Sequence, residues 1–149
     1  MPKTVLTSGA FDLIHYGHIR LLEEAKSHAG PNARLVVIIA RDETVKRLKG
    51  KPPVFPEDQR RALIEALKVV DEALLGYEDL DMATVIEKVK PDIIAVGHDQ
   101  GAIERMARKA IEEKGLPIRV VRIGKFGKSD LNSSSKIKRK IVEDLRSTY

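Results

Sequence analysis

The chain has 149 residues, no cysteine, 33% charged residues and a formal net charge of +5, with a sequence pI near 9.5. The missing cysteine excludes disulfides, thiolate metal sites and a cysteine nucleophile, and no apolar run approaches the roughly 20 residues of a membrane span. A length of this order suits one domain, and MPKTVLTSG shows no charged-then-apolar leader pattern, so a single-domain, soluble, cytoplasmic protein is expected.

Val5 and Leu6 read as the first buried strand. Behind them, residues 9–22 read GAFDLIHYGHIRLL and place His15 and His18 where a turn becomes a helix over 19–28. The first N–H groups of a helix have no intrahelical partner, and the aligned peptide dipoles leave partial positive charge there, so such a turn attracts phosphate. Gly17 lets a ligand approach the backbone, and the two imidazoles supply further donors. A metal pair on one helix wants histidines four apart with a third ligand. His28 and His98 fall at no such spacing, so the turn reads as a nucleotide-phosphate site and no metal ligand is assigned.

The next strand is 35–40, followed by the polar turn ARDE at 40–43 and a basic group, Lys46, Arg47, Lys49 and Lys51, ahead of a Pro-Pro turn. Residues 56–69 have helical spacing, opened by Pro56, Glu57 and Asp58, with Arg60 in the first turns. A strand at 73–75, a helix at 82–90 and a strand at 93–96 lead to GHDQ at 97–100. There Asp99, directly after a buried strand and a glycine, is placed to bond a ribose or base. A helix at 101–114 and a strand at 118–123 complete the alternation before the final helix, 133–146. Ser133, Ser134 and Ser135 are natural N-caps for that helix, whose start again offers N–H groups to phosphate.

Five short apolar runs alternating with helices indicate a doubly wound α/β fold, a parallel five-stranded sheet covered on both faces. Its ligand belongs beyond the carboxyl ends of the strands, where strand order reverses. The basic residues of 119–140 (Arg119, Arg122, Lys125, Lys128, Lys136, Lys138, Arg139 and Lys140, against Asp130 alone) fit a polyphosphate pocket, a nucleic-acid footprint or solvated faces. A nucleic-acid-binding module leaves the HYGH turn and GHDQ unexplained. With three Phe, three Tyr and no Trp, the chain also lacks basic-aromatic interleaving for base stacking.

GAFDLIHYGH resembles the G-x-F-D-x-x-H-x-G-H signature of the small HxGH nucleotidyltransferases, which include glycerol-3-phosphate cytidylyltransferase, pantetheine-phosphate adenylyltransferases and archaeal FAD synthases. ARDETVKRLKGKPPVFPEDQRRALIEAL, KPDIIAVGHDQ and SSSKIKRKI extend the likeness over nearly the whole chain, most closely to the archaeal FAD synthases. The resemblance implies a Rossmann-like fold and transfer of AMP from ATP to FMN, giving FAD and pyrophosphate. The alternative is transfer of CMP from CTP to glycerol 3-phosphate or a similar small ester, towards which NSSSKIKRKI leans. It also implies a homodimer and a Mg²⁺ or other divalent ion carried by the substrate phosphates, with no partner nucleic acid or membrane.

By the same resemblance, His15 and His18 contact the nucleotide phosphates, with His18 nearer the reacting α-phosphate. The backbone of Ala10 and Phe11 lies along the nucleotide, with Tyr16 and Gly17 in the same stretch; Phe11 is equally well a core aromatic. A mobile lysine-bearing loop is expected at 46–51, with Lys46 catalytic and Lys49 and Lys51 towards the acceptor, although each taken alone is also a solvated surface lysine. Arg60, Gln100 and Lys128 are expected at the substrate, with an ion-pair role as the other reading of Arg60. Asp99 and Ser133 to Ser135 are expected at the nucleotide. Asp12 suits a metal ligand, or a group that orients His18 or a nearby backbone amide. Because a phosphate acceptor is already a competent anion, the reaction needs positioning and charge stabilisation and no protein nucleophile.

Overall fold

Residues 2–77, 81–124 and 133–148 are described by the computed structural model. They form five strands, β1 (Thr4–Gly9), β2 (Arg34–Ile39), β3 (Glu72–Leu75), β4 (Ile93–Gly97) and β5 (Arg119–Ile123). All pair in parallel, in the order β3-β2-β1-β4-β5. Their apolar runs are nearly continuous because both faces are covered. Val5, Leu35, Val37, Ile39, Ile93 and Ala95 point to one side, with Leu22 and Ala25 of α1 (Tyr16–Ser27) and Ile64 of α3 (Glu57–Glu65). Leu6, Val36, Ile38, Ile94 and Val96 point to the other, with Val85 and Ile86 of α4 (Met82–Val89) and Ala107 and Ala110 of α5 (Gly101–Lys114). The period-two alternation of a strand thus divides one sheet between two cores.

The order reverses between β1 and β4. The chain first winds outwards from β1 through β2 to β3, then returns to build β4 and β5 on the other side. The carboxyl ends of β1 and β4 therefore open a crevice, the usual ligand position in such sheets. The turns SGAFD and GHDQ both lie there.

Two expectations change. The stretch expected as a lysine loop is in part a helix, α2 (Asp42–Lys49). Asp42 and Glu43 lie in its first turn and Lys46, Arg47 and Lys49 in its last, matching the helix dipole, and Gly50 ends it at φ 79° in the left-handed region. The helix expected at 56–69 stops at Glu65, with Pro56 as its N-cap; Leu67 and Val69 still pack against the core from the turns that follow. The last helix, α6 (Ser134–Thr148), begins as expected.

Candidate active site

The signature turn is held by backbone geometry on either side of Asp12. Phe11 and Leu13 both have φ 51°, a conformation that costs non-glycine residues energy and marks a turn fixed by its surroundings. Gly9 is required by the same fold-back, since a Cβ there would lie 2.9 Å from Cε2 of Phe11. Phe11 is buried in the core, and its ring meets His18 edge-on at 5.4 Å. The core-aromatic reading of Phe11 is the one observed: it backs His18.

His15 is the N-cap of α1 and His18 lies at the third helical position. Nδ1 of His15 accepts from the Gly17 N–H at 3.1 Å, and Nδ1 of His18 accepts from the His15 N–H at 3.3 Å. The pair is a capping box in which imidazoles replace the usual serine and glutamate. The Gly17 N–H is thus engaged in the cap. A ring nitrogen that accepts carries no proton, so each neutral imidazole holds its hydrogen on Nε2, away from the helix. The rings stack at 3.8 Å, which arranges two Nε2 donors side by side.

Burial above all, then the nearby His15 and the charges of Lys49, push the His18 pKa down to about 4, against a raising effect from Asp12. Burial lowers His15 as well. Both rings are therefore neutral donors at pH 7. The folded His18 takes a proton less readily than the unfolded chain, whose value is 6.5. It contributes stability that is present above pH 6.5 and drains away as pH falls towards about 4, worth about 3 kcal/mol in all. The difference in Tm between the wild-type protein and His18→Asn is accordingly expected to shift against the wild type by several degrees between pH 7 and pH 4. A difference that stays constant across that range would contradict this account.

Asp12 is buried, and its carboxylate accepts from the Val54 N–H at 2.7 Å and the Phe55 N–H at 3.0 Å. Of the roles open to it, binding backbone amides is the one observed. Its carbonyl accepts the hydroxyl of Ser134. Lys138, one helical turn further along α6, brings Nζ to 3.8 Å from the Asp12 carboxylate. In the sequence Lys138 stands out only as one of the basic residues of 119–140, but its i+4 spacing from Ser134 puts both on one helix face. Ser133 is the actual cap, its Oγ accepting from the Lys136 N–H at 3.2 Å, and Ser135 is exposed.

The remaining candidates separate clearly. Lys49, at the end of α2, is the lysine whose charge His18 feels. Lys46 lines an open recess of about 380 Å³ with Glu43, Arg47 and Gly50, and Lys51 is exposed beyond the Gly50 cap. Arg60 was expected at the substrate, but its side chain is fully buried. Its guanidinium donates to the carbonyls of Phe55 (2.9 Å) and Ala10 (2.7 Å) and to Asp42 (2.7 Å). It acts on the signature turn through the Ala10 carbonyl, which is the ion-pair reading. Asp42 and Glu57 complete this network, Glu57 accepting from the Asp42 N–H at 2.9 Å and from Arg41 at 3.0 Å. Gln100, also expected at the substrate, has both ends of its amide engaged by backbone. Asp99 is exposed at the crevice turn, and Lys128 lies outside the described residues.

Among the described residues no three His, Asp or Glu side chains converge to hold a metal ion, and no helix is long and apolar enough to cross a membrane. Part of the basic charge is used internally: Arg122 pairs with Glu104 at 2.7 Å, and Arg119 donates to the His28 carbonyl at 3.3 Å.

Residues 6–140 match the family model described as cytidylyltransferase-like. Among curated relatives, the FAD synthase of Methanopyrus kandleri is 43% identical over 96% of this chain and 94% of its own. The FAD synthase of Methanothermobacter marburgensis is 48% identical over 93% and 85%, and that of Thermoplasma volcanium 46% over 97% and 98%. A solved structure titled as the lipopolysaccharide core biosynthesis protein from Thermoplasma volcanium superposes with a TM-score of 0.75 at 44% identity, covering 84% of this chain and 98% of that one.

Proposed function

Since this chain belongs to the cytidylyltransferase-like family, we propose that it transfers AMP from ATP to FMN, forming FAD and pyrophosphate. The observation that carries this reading is the 43–48% identity to FAD synthases over nearly the full length of both chains. In the transfer, a phosphate oxygen of FMN forms a bond to the α-phosphorus of ATP in line as the bond to the bridging oxygen breaks, and pyrophosphate leaves with the electron pair. A divalent cation, most simply Mg²⁺, enters with ATP as part of the substrate and offsets charge on its phosphates.

The protein's own part is to aim donors at charge that develops in the transition state. The Nε2–H groups of His15 and His18 meet the α-phosphate region. Lys49 and the start of α6, carrying Ser134, Ser135 and Lys138, face the leaving pyrophosphate. Asp99 takes the nucleoside end. The protein works in the cytoplasm as a homodimer. Ile141, Val142 and Leu145, which stand 51%, 45% and 54% exposed along α6, are the apolar surface offered to the second copy.

Purified protein with Mg²⁺, ATP or CTP, and FMN or glycerol 3-phosphate is expected to release pyrophosphate and form FAD only from the ATP and FMN pair, with products resolved by mass. A CDP-linked product without FAD would overturn the substrate assignment and keep the mechanism. Tight duplex binding with no pyrophosphate release would overturn both.

A further inference from the structure

At the reversal of strand order the backbone pairing between β1 and β4 stops early. The register runs Val5↔Ile93, Leu6↔Ile94 and Thr7↔Ala95, although β1 continues to Gly9 and β4 to Gly97. Side chains take over from there. Thr7 donates its hydroxyl to the Ala95 carbonyl at 2.9 Å. Gln100 accepts from the Gly97 N–H through Oε1 at 2.8 Å and donates through Nε2 to the Ser8 carbonyl at 2.8 Å.

We propose that Gln100 is a positioning residue whose carboxamide splints the ends of β1 and β4, fixing the signature turn relative to the Asp99 turn. The chemistry of the two anchor points selects the side chain. An N–H needs an acceptor and a carbonyl needs a donor, and a carboxamide supplies both; a carboxylate has no donor and an ammonium no acceptor. The turn is also closely packed: a Cβ on Gly97 would lie 3.2 Å from the Asp99 carboxylate and 3.4 Å from Oε1 of Gln100. Gln100 thus touches protein at both ends, and its effect on the substrate runs through the two turns it joins.

The inference rests on the reading that one nucleotide spans the crevice, phosphates on the His18 side and nucleoside on the Asp99 side. A ligand held at both ends is sensitive to the distance between them, and a misplacement of about 1 Å costs on the order of 100-fold in rate. The acceptor meets only the phosphate side, so its affinity does not depend on the splint.

Two variants test this. Gln100→Glu keeps the size and the acceptor for Gly97 but sets an oxygen against the Ser8 carbonyl; Gln100→Met keeps the length and loses both bonds. Calorimetry with Mg²⁺ and ATP in the absence of FMN is expected to show affinity weakened about tenfold or more in both. The KM for FMN should stay within about twofold and Tm should fall by a few degrees at most. Amide exchange at Gly97 should quicken in Gln100→Met and stay slow in Gln100→Glu. Wild-type ATP affinity in both variants overturns the proposal. So does an equal loss for ATP and FMN with a matching fall in Tm, which marks a merely structural role. Weakened ATP binding with unchanged Gly97 exchange in Gln100→Met also overturns it, since that pattern belongs to a direct nucleotide contact. ATP binding and Gly97 exchange need no acceptor, so a wild-type protein that makes no FAD defeats the functional reading and leaves this test standing.

Discussion

His18→Ala is expected to lower the rate of pyrophosphate release at least about 100-fold to 1000-fold, the cost of losing one well-aimed donor in a site of this kind. The reason lies in how the ring is held. Its Nδ1 accepts from the His15 N–H, its ring meets Phe11 edge-on, and burial keeps it neutral with a pKa of about 4. What remains is a single N–H donor on Nε2, pre-aimed and uncharged. Loss of the cap acceptor costs about 1 kcal/mol of stability, so the variant should remain folded and circular dichroism should be nearly unchanged. His18→Asn offers a neutral N–H and is expected to recover part of the rate, whereas His18→Lys supplies charge in the wrong form and recovers less. A near-wild-type rate for His18→Ala would remove the proposed site, and a better rescue by lysine than by asparagine would show that charge is what the ring provides.

The largest effect on stability is expected at Arg60. Replacing it by methionine leaves the Ala10 and Phe55 carbonyls without their donor and Asp42 without its cation. Removing one partner of a buried pair typically costs about 3 to 5 kcal/mol. Asp42 is 38% exposed and regains some hydration, which puts the loss near the lower end, about 3 kcal/mol. For a protein of this size that is about 6 to 12 °C in Tm. Arg60→Lys keeps a charge but cannot fork to three acceptors and should fall between. Unchanged Tm in Arg60→Met together with a raised KM would restore Arg60 to the substrate.

The sheet was legible because a parallel strand buried on both faces reads as an unbroken apolar run, as residues 35–39 and 93–96 do. β1 was legible only at Val5 and Leu6, since Thr7, Ser8 and Gly9 look like loop. Thr7 is buried in the sheet because its hydroxyl finds the Ala95 carbonyl. The eight-residue α2 is not legible in the sequence because its inner stripe amounts to Thr44 and Val45, too short for a period to show. With the helix in place, Lys49 lies close enough to His18 for its charge to act on the ring. The histidines were legible at the spacing of an N-cap and its third helical residue. The contacts of Arg60 and Gln100 within the protein are not legible in the sequence, for a common reason. Their partners include the main-chain carbonyls of Ala10, Phe55 and Ser8 and the N–H of Gly97, and a main-chain group carries no residue identity for a motif to display.

The Asp12 carbonyl and the Ser134 hydroxyl are separated by 122 positions in the chain, and Lys138 approaches the same aspartate from the same helix. The signature turn is thus completed by residues synthesised long after it. A nascent polypeptide lacks these contacts to the turn until synthesis has passed residue 138. A chain interrupted before that point holds the signature without the partners that close it.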